Sequence, residues 1–517
     1  MSSPLTPVGE RYNFAGEVLA QNEARASKVA YIDDSVELTY AGLADRVRRF
    51  AAVLAEDGVR AEERVLVVLE DTVDLPTVFL GALYAGVVPV LVNTLLPATE
   101  YAYMLENSGA RLVVVSAAVA SKLVDAQALL GDKTPTLVSH AGSAAGGSLA
   151  DRITHAAPRS VPERTHIDDV AFWLYSSGST GRPKGTVHTH ANIYWTVALY
   201  AKPILGIRET DVIFSAAKLF FAYGLGNGLT FPLSVGATTV LMAERATPSA
   251  VFERLRRHQA TVFGGVPTLF LSMLALPGLP AKEDLALRVC ASAGETLPEK
   301  VGNEFTQRFG CHILDGLGST EMLHIYLSNR PGDVVYGTTG RPVPGYEVEL
   351  RDGDGDERAR LTPPGEVGDL YVKGPSSALM YWRDRERSRA TFLGGWVKTG
   401  DRYSQLPSGH FRYAGRSDDL LKVSGQYVAP VEVEQKLQEH EAVLEAAVVG
   451  RLDANGLVRV HAFIVLRPGQ EGTAALVTEL QSFVKEHLAP HKYPRDVSFL
   501  EELPKTATGK IQRFKLR

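Results

Sequence analysis

The sequence predicts an α/β protein: a large unit of parallel sheets covered by helices on both faces, then a small α+β unit. Three observations lead there. Short runs that are apolar at nearly every position, at 65–69, 87–92 and 111–116, alternate with segments of helical spacing. Uninterrupted apolar strands separated by helices belong to parallel sheets buried on both faces. The composition then changes near Gly415, Arg416, Ser417, Asp418 and Asp419, and the remaining stretch has the length and pattern of a second, smaller domain. With 517 residues, the chain has ample volume for more than one core.

Taken in order, Thr39 is suited to cap a helix whose apolar residues Leu43, Val47, Phe50, Ala51 and Leu54 recur at helical spacing. A strand at 65–69, a helix at 76–85 and a strand at 87–92 come next. A helix at 100–106 then precedes the apolar run at 111–116. Residues 141–150, rich in Gly, Ala and Ser, read as a loose surface connection. The acidic run Asp352, Asp354 and Asp356 resembles a calcium loop only superficially. Glu357 stands where that loop needs glycine and Pro363 where it needs a bidentate glutamate, so a solvated turn is expected. Beyond the junction, 430–440 reads as a helix, and 443–450 and 458–466 as strands. Leu476, Leu480, Phe483, Val484 and Leu488 mark an amphipathic helix. A polar, glycine-flanked junction between two such units is a natural hinge. No internal repeat of fixed period is present.

The bulk chemistry excludes several classes. A net charge of −5 leaves no basic footprint for nucleic acid or an anionic membrane. Cys290 and Cys311 are the only cysteines, too few for a disulfide framework or a cysteine zinc site, and they suit a reducing compartment. The longest apolar run, 78–92, is broken by Gly81, Gly86 and Pro89 and is shorter than the ~20 residues a membrane span needs. The N-terminus lacks the basic and apolar regions of a secretory signal. A soluble, cytoplasmic protein is expected.

The chemistry centres on Tyr175, Ser176, Ser177, Gly178, Ser179, Thr180, Gly181, Arg182, Pro183, Lys184 and Gly185. Glycines let the backbone approach a ligand closely, and successive N–H groups and hydroxyls can cradle an anion. Arg182 and Lys184 add positive charge where a polyphosphate would lie. A Walker A loop is excluded because Lys184 is followed by glycine rather than Ser or Thr. A nucleophile elbow is excluded because Gly-x-Ser-x-Gly is absent. A flexible polar surface loop is the bland alternative, against which stand the apolar run at 170–175 and the interleaved cations.

This stretch resembles the phosphate-binding signature of the adenylate-forming superfamily, which includes acyl-CoA synthetases, luciferases and peptide-synthetase adenylation domains. Further segments match family motifs in family order: Ala291 to Glu295, Asp315 to Glu321, Gly395 to Asp401, Gly415 to Gly425, and Pro504 to Lys510. The resemblance covers essentially the whole chain. It implies αβα-layered sheets plus a distorted barrel at 1–417, binding ATP and the acid, and a small mobile α+β C-terminal domain at 418–517.

By the same resemblance, ATP contacts fall to Ser176, Ser177, Gly178, Ser179, Thr180, Gly181, Lys184, Gly294, Glu295, Asp315, Gly316 and Thr320. Asp401 is implied on the ribose hydroxyls, with Arg416 near ribose and phosphate. Glu321 and Thr180 are the implied ligands of Mg²⁺, a hard cation that prefers oxygen donors and phosphate partners. Lys510 and Lys184 are the implied catalytic cations, Asp418 the hinge, and Lys422 and Gly425 the segment presented for the thioester step with coenzyme A. Most family members carry an aromatic residue where Leu317 stands, so the adenine face is apolar here. The segments Lys218 to Asn227 and Glu321 to Ile325 resemble those of benzoate-CoA ligases in particular. They imply an acid pocket walled by Tyr223, His324 and Ile325, with Ala222, Gly224 and Gly318 leaving room for a flat ring. A packed core histidine is the bland alternative for His324. Two half-reactions are implied, acyl-AMP formation and its capture by CoA, with a homodimer left open. A ligase for a substituted benzoate, or a module loading a carrier protein, shares these motifs. The short tail after Lys510 favours the stand-alone CoA ligase.

Overall fold

The computed structural model describes residues 9–131, 137–140, 148–178, 181–352, 360–417, 421–423, 426–453, 457–489, 492–505 and 511–517. Its larger N-terminal part holds two mostly parallel sheets. In the seven-stranded sheet, Arg64–Val68 lies between Val88–Leu91 and Leu112–Val115, and the hairpin Val170–Gly178 and Gly181–Thr189 joins on the Val88–Leu91 side. Alternation along one strand shows why both faces are covered. Val65 and Val67 enter one buried cluster and Leu66 and Val68 another, so the strand reads apolar throughout. In the nine-stranded sheet, Val212–Ser215, Val262–Gly265, Val289–Ser292 and Ile313–Gly318 run parallel side by side. The helices Tyr40–Glu56 and Asp74–Tyr84 share a core with residues from both sheets, among them Tyr31, Val65 and Val67.

Thr39 does cap the helix Tyr40–Glu56, accepting the Gly42 N–H at 3.1 Å, and the five expected apolar residues are buried on it. An antiparallel sheet of Glu347–Asp352, Val367–Lys373, Trp396–Gln405 and Phe411–Arg416, with two short strands, stands where the barrel is implied. It shares a buried cluster with the second face of the nine-stranded sheet. The smaller C-terminal part packs the helices Pro430–Glu439 and Ala474–His487 on the three-stranded sheet Val443–Leu452, Val458–Leu466 and Asp496–Phe499, around its own core.

Two expectations need correction. The connection at 141–150 is not loose to its end: Ser148 and Asp151 form a reciprocal capping box that starts the helix Leu149–His155. The Tyr175–Gly185 motif is not a free loop on either flank. Ser176 pairs with Lys184 and Gly178 with Gly181 in an antiparallel hairpin, so both flanks of the motif are strands. Beyond Asp352, the acidic run lies outside the described residues, as does most of 141–150. No helix among the described residues is long and apolar enough to cross a membrane.

Candidate active site

The hairpin is braced from outside by the helix Ala98–Ser108. The Tyr175 hydroxyl donates to Asn107 Oδ1 at 2.7 Å, and the Tyr103 hydroxyl to the Pro183 carbonyl at 3.2 Å. Trp382 donates its backbone N–H to the Gly185 carbonyl at 2.7 Å and lies against Trp173 with ring centroids 4.5 Å apart. These contacts hold Lys184 in place. The Ser176 hydroxyl is buried without a partner among the described residues, an orphan donor in the ribbon expected to meet phosphate.

Lys184 reaches across to Glu321. Its ammonium stands 3.7 Å from Glu321 Oε1 and donates to the Tyr381 hydroxyl at 3.2 Å, while that hydroxyl donates to Glu321 Oε1 at 2.6 Å. Burial opposes charge on Glu321, yet the Lys184 ammonium and the Tyr381 hydroxyl hold its carboxyl below the usual range. Glu321 is therefore an ionised, part-buried oxygen donor. That suits Mg²⁺, which takes one or two carboxylates plus phosphate oxygens rather than an all-protein cage. Among the described residues no cluster of three or more His, Cys, Asp and Glu forms such a cage.

The turn bearing Glu321 is anchored by His188. Thr189 donates its hydroxyl to Asn192 Oδ1 at 2.9 Å, which leaves the Asn192 amide to donate to His188 Nδ1 at 2.8 Å and to the Ser377 carbonyl at 3.1 Å. The proton of the neutral ring is then on Nε2, which donates to the Thr320 carbonyl at 2.9 Å. Burial lowers the His188 pKa to about 4, keeping the ring neutral.

Immediately after Glu321 the chain turns sharply. His324 donates its N–H to the Met322 carbonyl at 2.8 Å, with Leu323 between them at φ +64°. A three-residue turn with positive φ at a bulky residue is strained. It brings His324 to the residues expected to wall the acid pocket. The His324 ring is 4.5 Å from that of Phe231, 5.1 Å from that of Tyr200 and 5.6 Å from that of Tyr223 by centroids. Only 3% of His324 is exposed, and burial lowers its pKa to about 3. Neither ring nitrogen has a well-formed hydrogen bond among the described residues, which a satisfied core histidine would have. Ala222, Tyr223 and Gly224 start a short helix, Ala222–Leu225, that continues as a π-helical turn, Gly226–Thr230. A Cβ at Gly226 would fall on the His324 ring, so only glycine permits this approach. Gly318 pairs with buried Ile325 across an antiparallel register.

Among the residues expected at the nucleotide, Asp315 and Gly316 lie on the strand Ile313–Gly318, and Gly294, at φ +99°, and Glu295 follow the strand Val289–Ser292. Burial raises the Asp315 pKa to about 8, although the nearby Ser292 hydroxyl and the Leu297 and Gly316 backbone act to lower it. Asp401 and Arg416 face each other on adjacent strands, with Nη1 3.2 Å from Oδ1. Five of the expected residues, Ser179, Thr180, Asp418, Gly425 and Lys510, lie outside the described residues. The side chains of Ser177 and Lys422 do so too.

Four contributors escape sequence reasoning: Tyr381, His188, Asn192 and Leu323. Tyr381 reaches the site only because Met380–Tyr381 pairs with the hairpin strand, Tyr381 opposite Thr186. His188 and Asn192 are four residues apart, a spacing that could have flagged a shared role. No local signal marks Leu323.

Comparison with known proteins agrees with this geometry. The AMP-binding enzyme family model matches residues 18–382, and the model of the AMP-binding enzyme C-terminal domain matches residues 432–510. The chain is 56% identical to the benzoate–CoA ligase of Thauera aromatica, over 99% of this chain and 97% of that protein. It is 45% identical to the 4-hydroxybenzoate–CoA/benzoate–CoA ligase of Rhodopseudomonas palustris, over 98% of this chain and 94% of that protein. The crystal structure of a benzoate CoA ligase from Burkholderia xenovorans superposes with a TM-score of 0.92 at 59% identity, covering 98% of this chain and 100% of that one. The signature hairpin, the Glu321 turn and this full-length similarity have one explanation: the chain belongs to the AMP-binding, adenylate-forming enzyme family.

Proposed function

We propose that the protein is an AMP-forming benzoate–CoA ligase. One observation carries this reading: the turn that ends the phosphate side at Glu321 delivers His324, three residues later, into a wall of aromatic rings. A carboxylate whose ring lies against that wall would point its oxygens back toward the nucleotide. The similarity to benzoate-activating relatives supports the same substrate.

In the first half-reaction, a benzoate oxygen attacks the α-phosphorus of ATP, giving benzoyl-AMP and pyrophosphate. Adenylation is needed because a bare carboxylate would have to expel oxide. The hairpin N–H groups and hydroxyls of Ser176 to Gly181, with Lys184, orient the phosphates. Lys510 neutralises charge as it builds between the acid and the α-phosphate. Glu321 and Thr180 would hold Mg²⁺, which supplies further positive charge to the phosphate oxygens. Asp401 accepts the ribose hydroxyls, Arg416 lies beside it, and Gly294, Glu295, Asp315, Gly316 and Thr320 line the base and phosphates. In the second half-reaction the CoA thiolate attacks the benzoyl carbonyl and AMP leaves. For this step a domain at 418–517 turns about Asp418 against the domain at 1–417, withdrawing Lys510 and presenting Lys422 and Gly425. Free Cys290 and Cys311 suit a cytoplasmic enzyme.

The deciding experiment supplies a panel of aromatic acids with ATP, Mg²⁺ and CoA and detects the thioesters. Benzoate should give the highest kcat/KM. A higher value for 4-hydroxybenzoate would reassign the substrate. Transfer to a carrier protein without CoA turnover would reassign the acceptor.

A further inference from the structure

The acid-pocket residues are carried by a segment that starts just beyond the strand Val212–Ser215, and the part-buried Lys218 and the buried Asp71 fix its beginning. Lys218 donates its ammonium to three consecutive carbonyls at the end of the neighbouring strand: Met242, Ala243 at 3.0 Å and Glu244 at 2.7 Å. Asp71 comes from the other sheet, on the connection between the strand Arg64–Val68 and the helix Asp74–Tyr84. Both its oxygens stand 3.2 Å from the Leu219 nitrogen and share that N–H, and only 3% of the residue is exposed.

The grip on Lys218 and Leu219 is passed directly to the pocket. The Lys218 carbonyl accepts the Phe221 N–H at 3.0 Å, and a Cβ at Gly224 would fall on the same carbonyl oxygen. The backbone between Lys218 and Gly224 is thus closed on itself, and a shift at Leu219 moves Ala222 and Tyr223 with it. Leu219 and Phe220 sit in the core shared by the two sheets, so packing alone would retain the segment. A buried carboxylate is an expensive addition to an apolar contact, since its desolvation is repaid only by well-made partners. What it adds is direction: a hydrogen bond fixes the Leu219 N–H to a point, whereas apolar packing tolerates sliding.

We propose that Asp71 is a positioning residue for acid recognition, gripping the Leu219 N–H from the opposite sheet so that Ala222 and Tyr223 stand where a flat ring fits. The inference rests on the acid-pocket reading given above.

Steady-state kinetics on Asp71→Ala and the near-isosteric Asp71→Asn test it, with Ala222→Phe as the pocket control and melting temperatures recorded for all. Asp71→Ala should raise the KM for benzoate about tenfold or more, the scale of one lost hydrogen bond to a charged group. Its preference for benzoate over 4-substituted benzoates should narrow, while the KM for ATP stays within about twofold. Asp71→Asn keeps an acceptor for Leu219 and should restore most of the benzoate affinity. Lys218→Met carries the same comparison if Asp71→Ala does not fold. An unchanged benzoate KM and selectivity beside a strong effect of Ala222→Phe would overturn this inference alone. Parallel rises in both KM values that track a fall in melting temperature would reduce Asp71 to a structural role. A silent Ala222→Phe would remove the pocket reading and this inference with it.

Discussion

At the scale of single residues, the site combines groups whose burial opposes the charge they would carry in water. His324 is driven from 6.5 to about 3 and His188 to about 4, mainly by desolvation. An unfolded chain would bind these protons near pH 6.5, so it gains protons on the folded state as pH falls below that value. Their contribution to stability is present above pH 6.5 and is lost toward pH 3. Asp315, raised from 3.8 to about 8, has the opposite sign: its contribution is present in acid and lost as pH rises through about 8. Urea midpoints followed from pH 4 to 8 should therefore show a flatter acid limb for His324→Gln and a flatter alkaline limb for Asp315→Asn. Parallel curves for wild type and variants would contradict the burial argument. Lys510 offers a kinetic test. Lys510→Ala should cut benzoyl-AMP formation by about 10²-fold or more, the scale of one preorganised electrostatic donor. It should spare thioester formation from supplied benzoyl-AMP. Rapid-quench measurement of both half-reactions separates this from an exposed tail lysine, which would change neither.

At the scale of elements, the segment Lys218 to Gly224 shows how tightly the backbone is committed. Gly224→Ala would set a methyl group against the Lys218 carbonyl, and backbone cannot yield as a flexible side chain can. A loss of roughly 1–3 kcal/mol is expected from such overpacking, with benzoate binding weakened more than ATP binding. Thermal melts paired with substrate titrations read both quantities. Much of this architecture was legible in the sequence, because periods of 2 and 3.6 and capping chemistry are local. Thr39, the runs around Val65 and Val113, and the helix of Leu476, Leu480 and Val484 all express themselves within a few residues. The rest depends on pairing over distance. Tyr381 reaches Glu321 only because its strand pairs with a distant one, Tyr381 opposite Thr186, and Asp71 reaches Leu219 across 148 residues. Leu323 was illegible for another reason: leucine has no preference for positive φ, so only the surrounding contacts impose it. The family motif supplied the residues of the hairpin but not its bracing, which comes from Tyr103, Tyr175 and Trp382.

For the whole molecule, the buried clusters of the two large sheets hold no residue of the small C-terminal unit, which has its own, and the sequence at their junction, Gly415 to Asp419, is polar. Rotation at that junction is tested by Asp418→Pro. Proline fixes φ and restricts the preceding residue, so one orientation should be frozen. Acyl-AMP formation should persist while the thioester step falls sharply. Equal loss of both in a folded variant would argue for a fixed arrangement. The tight turn at Met322 to His324 has its own consequence at this scale. On the proposed assignment, one side of it ends the nucleotide site and the other enters the acid pocket, with a left-handed leucine between. A ligand that shifts or stiffens one side alters the state the other ligand meets, and such thermodynamic linkage is reciprocal. Whatever factor benzoate imposes on the affinity for a non-hydrolysable ATP analogue, the analogue must impose on benzoate. Calorimetric titrations in both orders should return one shared factor different from unity, and a factor of one would mean that the turn is a rigid spacer between two independent sites.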